Sequence, residues 1–145
     1  MISKKCDYAL RAVLELAKRD GSGPVTIAEI AESQQIPVRF LEAILRQLKQ
    51  GGLTDSQRGK DGGYLLAHPA TKIHVGDVIR LFEGPSLACA PGSRPGNQGK
   101  GPRVLQELWK EAMTALSGVY DGTSFADLAE RDSELEGTFI HDYSI

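Results

Sequence analysis

The sequence predicts a mainly α fold with one small β-hairpin, and three observations carry that prediction. Several stretches repeat apolar residues at three- and four-residue spacing, a glycine-rich turn stands between two short apolar runs, and the stretch from Gly84 to Pro102 has no period of either kind. With 145 residues, 41% of them hydrophobic and 25% charged, the chain is large enough for one domain with a working core.

The first helix is predicted over Tyr8 to Ala17, where Ala9, Leu10, Val13, Leu14, Leu16 and Ala17 alternate with Arg11 and Glu15. Ser3 or Asp7 could cap it, and Gly21-Ser22-Gly23-Pro24 stops it. Thr26 with Glu29 three residues on has capping-box spacing and opens a second, short helix that ends around Ser33-Gln34-Gln35. Pro37 is suited to the first turn of a third helix. There Phe40, Leu41, Ile44, Leu45 and Leu48 form an apolar stripe, Arg39, Glu42, Arg46, Gln47 and Lys49 lie off it, and Gly51-Gly52 ends the helix.

Leu53 to Gln57 and Tyr64 to Ala67 read as two strands around Arg58-Gly59-Lys60-Asp61-Gly62-Gly63, a tight turn with two cations. Ile73 to Phe82 is a further helix, Gly84 to Pro102 a long loop, and from Val104 a helix presents Leu105, Leu108, Trp109, Ala112, Met113 and Leu116 on one side. A last helical turn covers Ser124 to Leu128, and residues 132–145 are read as a flexible acidic tail. The domains expected are therefore 1–72, 73–131 and that tail, 132–145.

Two short helices joined by a tight turn and followed by a hairpin form a winged helix-turn-helix, with the hairpin as the wing. The formal charge of -2 seems to argue against a polyanionic partner, but it averages two unlike halves. Residues 1–72 carry 11 Lys and Arg against 8 Asp and Glu, whereas residues 73–145 carry 6 against 11. A basic first half fits nucleic-acid contact, and an acidic second half fits assembly or sensing.

Two cysteines, Cys6 and Cys89, are far too few for a secreted disulfide scaffold. Arg11 and Glu15 interrupt the apolar residues that follow Lys4 and Lys5, and no span approaches the ~20 apolar residues of a membrane helix, so a cytoplasmic protein without a membrane partner is expected. His68, His74 and His141 share no metal-site spacing. No nucleophilic triad, paired carboxylate or phosphate loop is recognisable, and no enzymatic activity is expected.

The segments Lys5-Cys6-Asp7-Tyr8-Ala9-Leu10-Arg11, Ile36-Pro37-Val38-Arg39-Phe40-Leu41-Glu42 and Arg58-Gly59-Lys60-Asp61-Gly62-Gly63-Tyr64-Leu65-Leu66 resemble those of the Rrf-two family of bacterial transcription regulators. Leu108-Trp109 and Thr123 to Leu128 resemble that family's dimerisation helix and the motif after it, so the likeness runs over about residues 1–130. It implies a winged-helix homodimer with a long dimerisation helix, acting as a repressor on a palindromic operator in double-stranded DNA. It also places Arg39, Glu42 and Ala43 where the recognition helix faces bases, and Arg58 with Gly62 and Gly63 in the wing.

Side-chain chemistry agrees with this placement. An arginine at the start of a recognition helix can reach O6 and N7 of guanine, and Glu42 can accept from a cytosine amine or simply face solvent beside Arg46. Arg46, Lys49, Arg58 and Lys60 suit phosphates. A dimeric adaptor or effector-binding protein of the same fold, without sequence-specific DNA binding, is the alternative.

Cluster-binding members of the family carry three cysteines in the loop matching residues 84–102, where this chain has Cys89 alone, with Arg103 and Gln106 near the remaining ligand positions. One loop cysteine cannot hold an iron-sulfur cluster. Three readings stand side by side: a cluster shared by Cys89, Cys6 and Asp7 across subunits, a thiol switch or small-molecule or protein effector at the loop, or cysteines that only pack. No secure cofactor or metal site follows from the sequence.

Overall fold

The computed structural model describes residues 2–84 and 101–143, with the side chains of 138–143 left aside. Helix α1 spans Lys4–Lys18. Ser3 caps it, its hydroxyl accepting from the Cys6 N–H at 3.1 Å. Asp7, the other candidate cap, instead pairs with Arg11 one turn on at 2.8 Å. Ala9, Ala12, Val13 and Leu16 are buried on one stripe, and this helix is the centre of the core.

Helix α2 covers Ile27–Gln34 and starts with the expected capping box. The Glu29 N–H donates to the Thr26 hydroxyl at 3.2 Å, and the Thr26 N–H donates to the Glu29 carboxylate at 3.0 Å. The turn that follows passes through Gln35 at φ 54°, a left-handed conformation, which lets the Ile36 N–H reach back to the Ala31 carbonyl at 3.0 Å. Helix α3 then runs Val38–Gln50. Pro37 stands one residue before the helix, and its carbonyl accepts from the Phe40 and Leu41 N–H groups.

The hairpin consists of β1 (Thr54–Gln57) and β2 (Gly63–Leu66), antiparallel, with Thr54 opposite Leu66 and Gln57 opposite Gly63. Val25 and Tyr64 exchange both backbone hydrogen bonds at 2.8 Å, which fastens the hairpin to the chain just before α2. Glycine is required at position 63, since a Cβ there would stand 2.5 Å from the Val25 carbonyl oxygen.

A short 3₁₀ turn, Ala70–Lys72, leads to α4 (Val75–Glu83), which packs on α1. Leu81 of α4 lies against Gly51 at the end of α3, so close that a Cβ at Gly51 would meet it at 2.6 Å. Helix α5 spans Arg103–Asp121 and α6 spans Phe125–Tyr143. Between them the chain returns to α4: the Val75 N–H donates to the Thr123 carbonyl at 3.0 Å, and the Phe125 N–H donates to the Ile73 carbonyl at 2.9 Å. Arg80 holds Asp121 with two bonds of 2.7 and 2.6 Å, and Phe125 is fully buried in the core.

Two sequence expectations are corrected. The stretch read as a flexible acidic tail from residue 132 continues α6 as helix to Tyr143. Lys18 of α1 holds that helix by pairing with Asp132 at 2.7 Å and Glu136 at 3.2 Å. Phe40, placed in the apolar stripe of α3, is 45% exposed, and the part of the stripe that is buried is Leu41, Ile44, Leu45 and Leu48.

Helix α5 is unlike the others, for none of its nineteen residues is buried. Leu116 touches the small cluster around Cys6 and Ile79, while Val104, Leu105, Leu108 and Val119 face outward.

Candidate nucleic-acid interface

Helix α3 buries one side and presents the other. Successive residues advance about 100°, so with Leu41, Ile44, Leu45 and Leu48 inside, the opposite side carries Arg39, Ala43, Arg46 and Gln50. All four are exposed. Glu42 and Lys49 are exposed toward the hairpin and, with Arg46, line an open cleft whose other wall includes Ser56, Gln57 and Gly62. The Lys49 ammonium donates to the Ser56 hydroxyl at 2.6 Å, bracing the helix against β1.

Arg58 and Lys60 are exposed on the hairpin turn, where the Gly62 N–H donates to the Gly59 carbonyl at 3.1 Å. Gly62 and Gly63 lie at its base, half-buried. Of the positions singled out, Glu42, Arg46, Lys49, Gly62 and Gly63 therefore share one cleft, with Arg39 and Ala43 beside them on α3 and Arg58 and Lys60 on the adjoining turn. Gln50 and Ser56 also stand there and escaped the sequence reading. The period of α3 would have found Gln50, which is seven residues from Ala43; nothing in the sequence pairs Ser56 with Lys49.

The surface suits duplex DNA in size and charge. A thirteen-residue helix is about 20 Å long and, with its side chains, 10–12 Å across, which matches a major groove about 12 Å wide. Beneath it Glu15 of α1 is a buried carboxylate, accepting from Arg19 at 2.8 Å and from the Gln34 amide at 2.8 Å. Burial raises its pKa, but the hydrogen bonds from Gln34, Ser33 and Arg19 and the charge of Lys18 outweigh burial and hold it below the ordinary carboxylate range.

Cys6 is placed differently from the ligand role considered for it. It is wholly buried among Ile79, Leu10, Val75, Phe82, Leu116 and Tyr120. Burial, followed by the charges of Glu83 and Asp7, pushes its thiol up to about 11, so the group stays protonated and hydrophobic. Asp7 is engaged with Arg11, Arg103 pairs with Glu107 at 3.3 Å, and Gln106 donates to the Gly101 carbonyl at 2.9 Å. Among the described residues no three His, Cys, Asp or Glu side chains gather as a metal site. These donors do not fit an iron-sulfur cluster; Cys89 lies outside the described residues.

A helix-turn-helix braced by a hairpin whose turn exposes Arg58 and Lys60 defines a winged-helix DNA-binding protein. Comparison with known proteins narrows this class. A model of the Rrf2 family, described as iron-dependent transcriptional regulators, matches residues 2–131, and the chain belongs to that family. The HTH-type transcriptional regulator IscR of Escherichia coli K12 is 32% identical over 135 residues, covering 93% of this chain and 83% of its own.

Among solved structures, CymR, the global cysteine regulator of B. subtilis, superposes with a TM-score of 0.79 at 34% identity, covering 90% of this chain and 97% of that one. IscR of T. potens gives 0.76 at 30% identity, covering 93% and 90%. These relatives are transcriptional regulators and not enzymes. Among the described residues no helix is long and apolar enough to cross a membrane.

Proposed function

We propose that this chain is a homodimeric repressor that binds a palindromic operator in the cytoplasm, reading bases with α3 and holding phosphates with the wing. The observation that carries the DNA part is the shared surface of α3 and the hairpin. On it Arg39, Glu42 and Ala43 face the base edges, and Arg46, Lys49, Arg58 and Lys60 take phosphates. Dimerisation is supported by α5, a nineteen-residue helix with no buried residue and an outward row of Val104, Leu105 and Leu108. Helices in proteins gain most of their stability from packing an apolar face, and a second α5 packed on this row would cover it.

A two-fold dimer sets two α3 helices against half-sites about one DNA turn apart, so the operator is an inverted repeat. Such a dimer represses by occupying promoter DNA. The signal is received at the segment 84–102, which holds Cys89 and follows α4 directly, through a thiol switch or a bound small molecule or protein.

The test is selection of sites from a randomised duplex library, with light scattering for the mass in solution. An inverted repeat and a dimer are expected. Log affinity should fall steeply with log salt, and Arg58→Ala should flatten the slope by about two per dimer, one phosphate per wing. A dimer that recovers no preferred sequence and binds random duplex equally at every salt concentration would make the protein an adaptor of the same fold.

A further inference from the structure

On one flank of α3, Lys49 leads through Ser56 into the wing. The other flank, about 180° around the helix from Lys49, carries Phe40, whose ring is 45% exposed although large and apolar. That ring is stacked on Tyr8 of α1, with centroids 6.3 Å apart and 28° between planes. The Arg39 guanidinium lies 4.7 Å from the Phe40 centroid; the Arg11 guanidinium and the Lys4 ammonium lie 5.5 and 5.7 Å from the Tyr8 centroid. The two aromatic rings thus join cations of α3 and α1 into one ridge that starts at the reading face and runs away from the wing.

We propose that this ridge is a third DNA-contacting element, in which Lys4, Tyr8 and Arg11 hold the sugar-phosphate strand that borders the major groove opposite the wing. The inference rests on the DNA-binding reading above and extends it. A helix seated in the major groove has a phosphate strand along each side, and the wing reaches only one. The ridge offers the other strand three cations and a phenol hydroxyl. Its one carboxylate among the residues just named or paired with them, Asp7, is already bound to Arg11 at 2.8 Å. Arg11 is further anchored by donating to the Gln34 carbonyl at 3.5 Å.

The rings give the ridge its fit to a phosphate strand and not to an apolar partner. Cations resting on aromatic faces are held in place before binding, so little side-chain freedom is lost when a phosphate arrives. Contacts of this kind position the protein and carry no base information. Lys4 should therefore contribute to affinity and salt dependence while leaving sequence preference untouched.

The experiment uses the full chain with two fluorescein-labelled duplexes, one carrying the selected inverted repeat and one of random sequence, titrated by anisotropy between 50 and 200 mM KCl. Lys4→Ala is exposed and removes one phosphate contact per protomer. It should lower the salt slope by about two per dimer, so that the wild-type advantage shrinks about tenfold across that salt range, equally on both duplexes. Tyr8→Phe keeps the stacked ring and removes the hydroxyl; it should weaken both duplexes severalfold with no change of slope. Hydroxyl-radical footprints of Lys4→Ala should lose protection on the strand opposite the wing.

If Lys4→Ala and Tyr8→Phe bind as wild type while Arg58→Ala flattens the slope, the ridge proposal is overturned and the DNA-binding reading stands. A change in base preference instead of slope would also overturn it. If the wild-type protein itself shows neither salt dependence nor a preferred site, it is the underlying DNA-binding reading that fails.

Discussion

Replacing Glu15 by alanine removes the carboxylate that α1 buries beneath the helix-turn-helix. The side chain is 3% exposed and accepts from Arg19 and from Gln34, the last residue of α2, each at 2.8 Å. Hydrogen bonds to a charged group contribute about 1.5–3 kcal/mol each. Arg19 is 37% exposed and rehydrates when its partner goes, which returns part of that sum. A loss of about 3 kcal/mol results, lowering the midpoint of thermal unfolding by about 10 °C in a chain of this size. Glu15→Gln keeps the shape and loses the charge, and should cost about half as much.

The pH dependence follows from the lowered carboxyl pKa. A group ionised more readily in the folded state stabilises it above its unfolded pKa, about 4.3, and loses that contribution as pH falls through the folded value. Urea unfolding followed by circular dichroism should therefore show the gap between wild type and Glu15→Gln narrowing from pH 6 to pH 3. A Glu15→Ala protein within 1 kcal/mol of wild type at pH 7, or a gap that stays constant on acidification, would refute the argument.

Three further outcomes are expected. Gln35→Gly should raise stability by about 0.5–1 kcal/mol in the same unfolding assay, because φ 54° is strained for glutamine and open to glycine. The buried Thr54 hydroxyl has no hydrogen-bond partner among the described residues, so Thr54→Val, which keeps the shape, should stabilise by about 1 kcal/mol, read as a higher urea midpoint. In a Cys89→Ser protein, Ellman's reagent at pH 8 should leave Cys6 unmodified until urea unfolds the chain, since the thiol is buried and shifted up to about 11; rapid reaction of the native protein would contradict its placement.

The reading head was legible because its signals are local. Thr26 and Glu29 cap α2 by spacing alone, the glycines of 59–63 demand a tight turn, and the buried side of α3 determines that Arg39, Ala43 and Arg46 face outward. The misreadings came where distant residues decide. Phe40 has a place at the edge of an apolar stripe by spacing, and how far such an edge residue is covered depends on α1, whose Tyr8 stacks on the ring and leaves it 45% exposed. Residues 132–137 look too polar to pack, and Lys18 supplies Asp132 and Glu136 with the partner that their own sequence does not show. Cys6 stands beside Asp7 in sequence like a donor pair, but α4 and α5 close over its thiol. Which carboxylate or thiol is covered depends on helices far along the chain, and period cannot report that.

The return of the chain to α4 has a consequence for how such a protein can diversify. The bonds Val75 to Thr123, Phe125 to Ile73 and Arg80 to Asp121 pin the far end of α5 to the helix from which residues 84–102 depart. Everything between Glu83 and Asp121 is thus an excursion with both ends fastened to one helix. Lengthening such an excursion adds little closure entropy, about 0.6 kcal/mol per doubling of a flexible segment, and leaves the register of α1, α3 and the hairpin alone. Residues can be inserted there, or lost, while the helix-turn-helix half keeps its shape, so one half of the chain can change in sequence and length without disturbing the other.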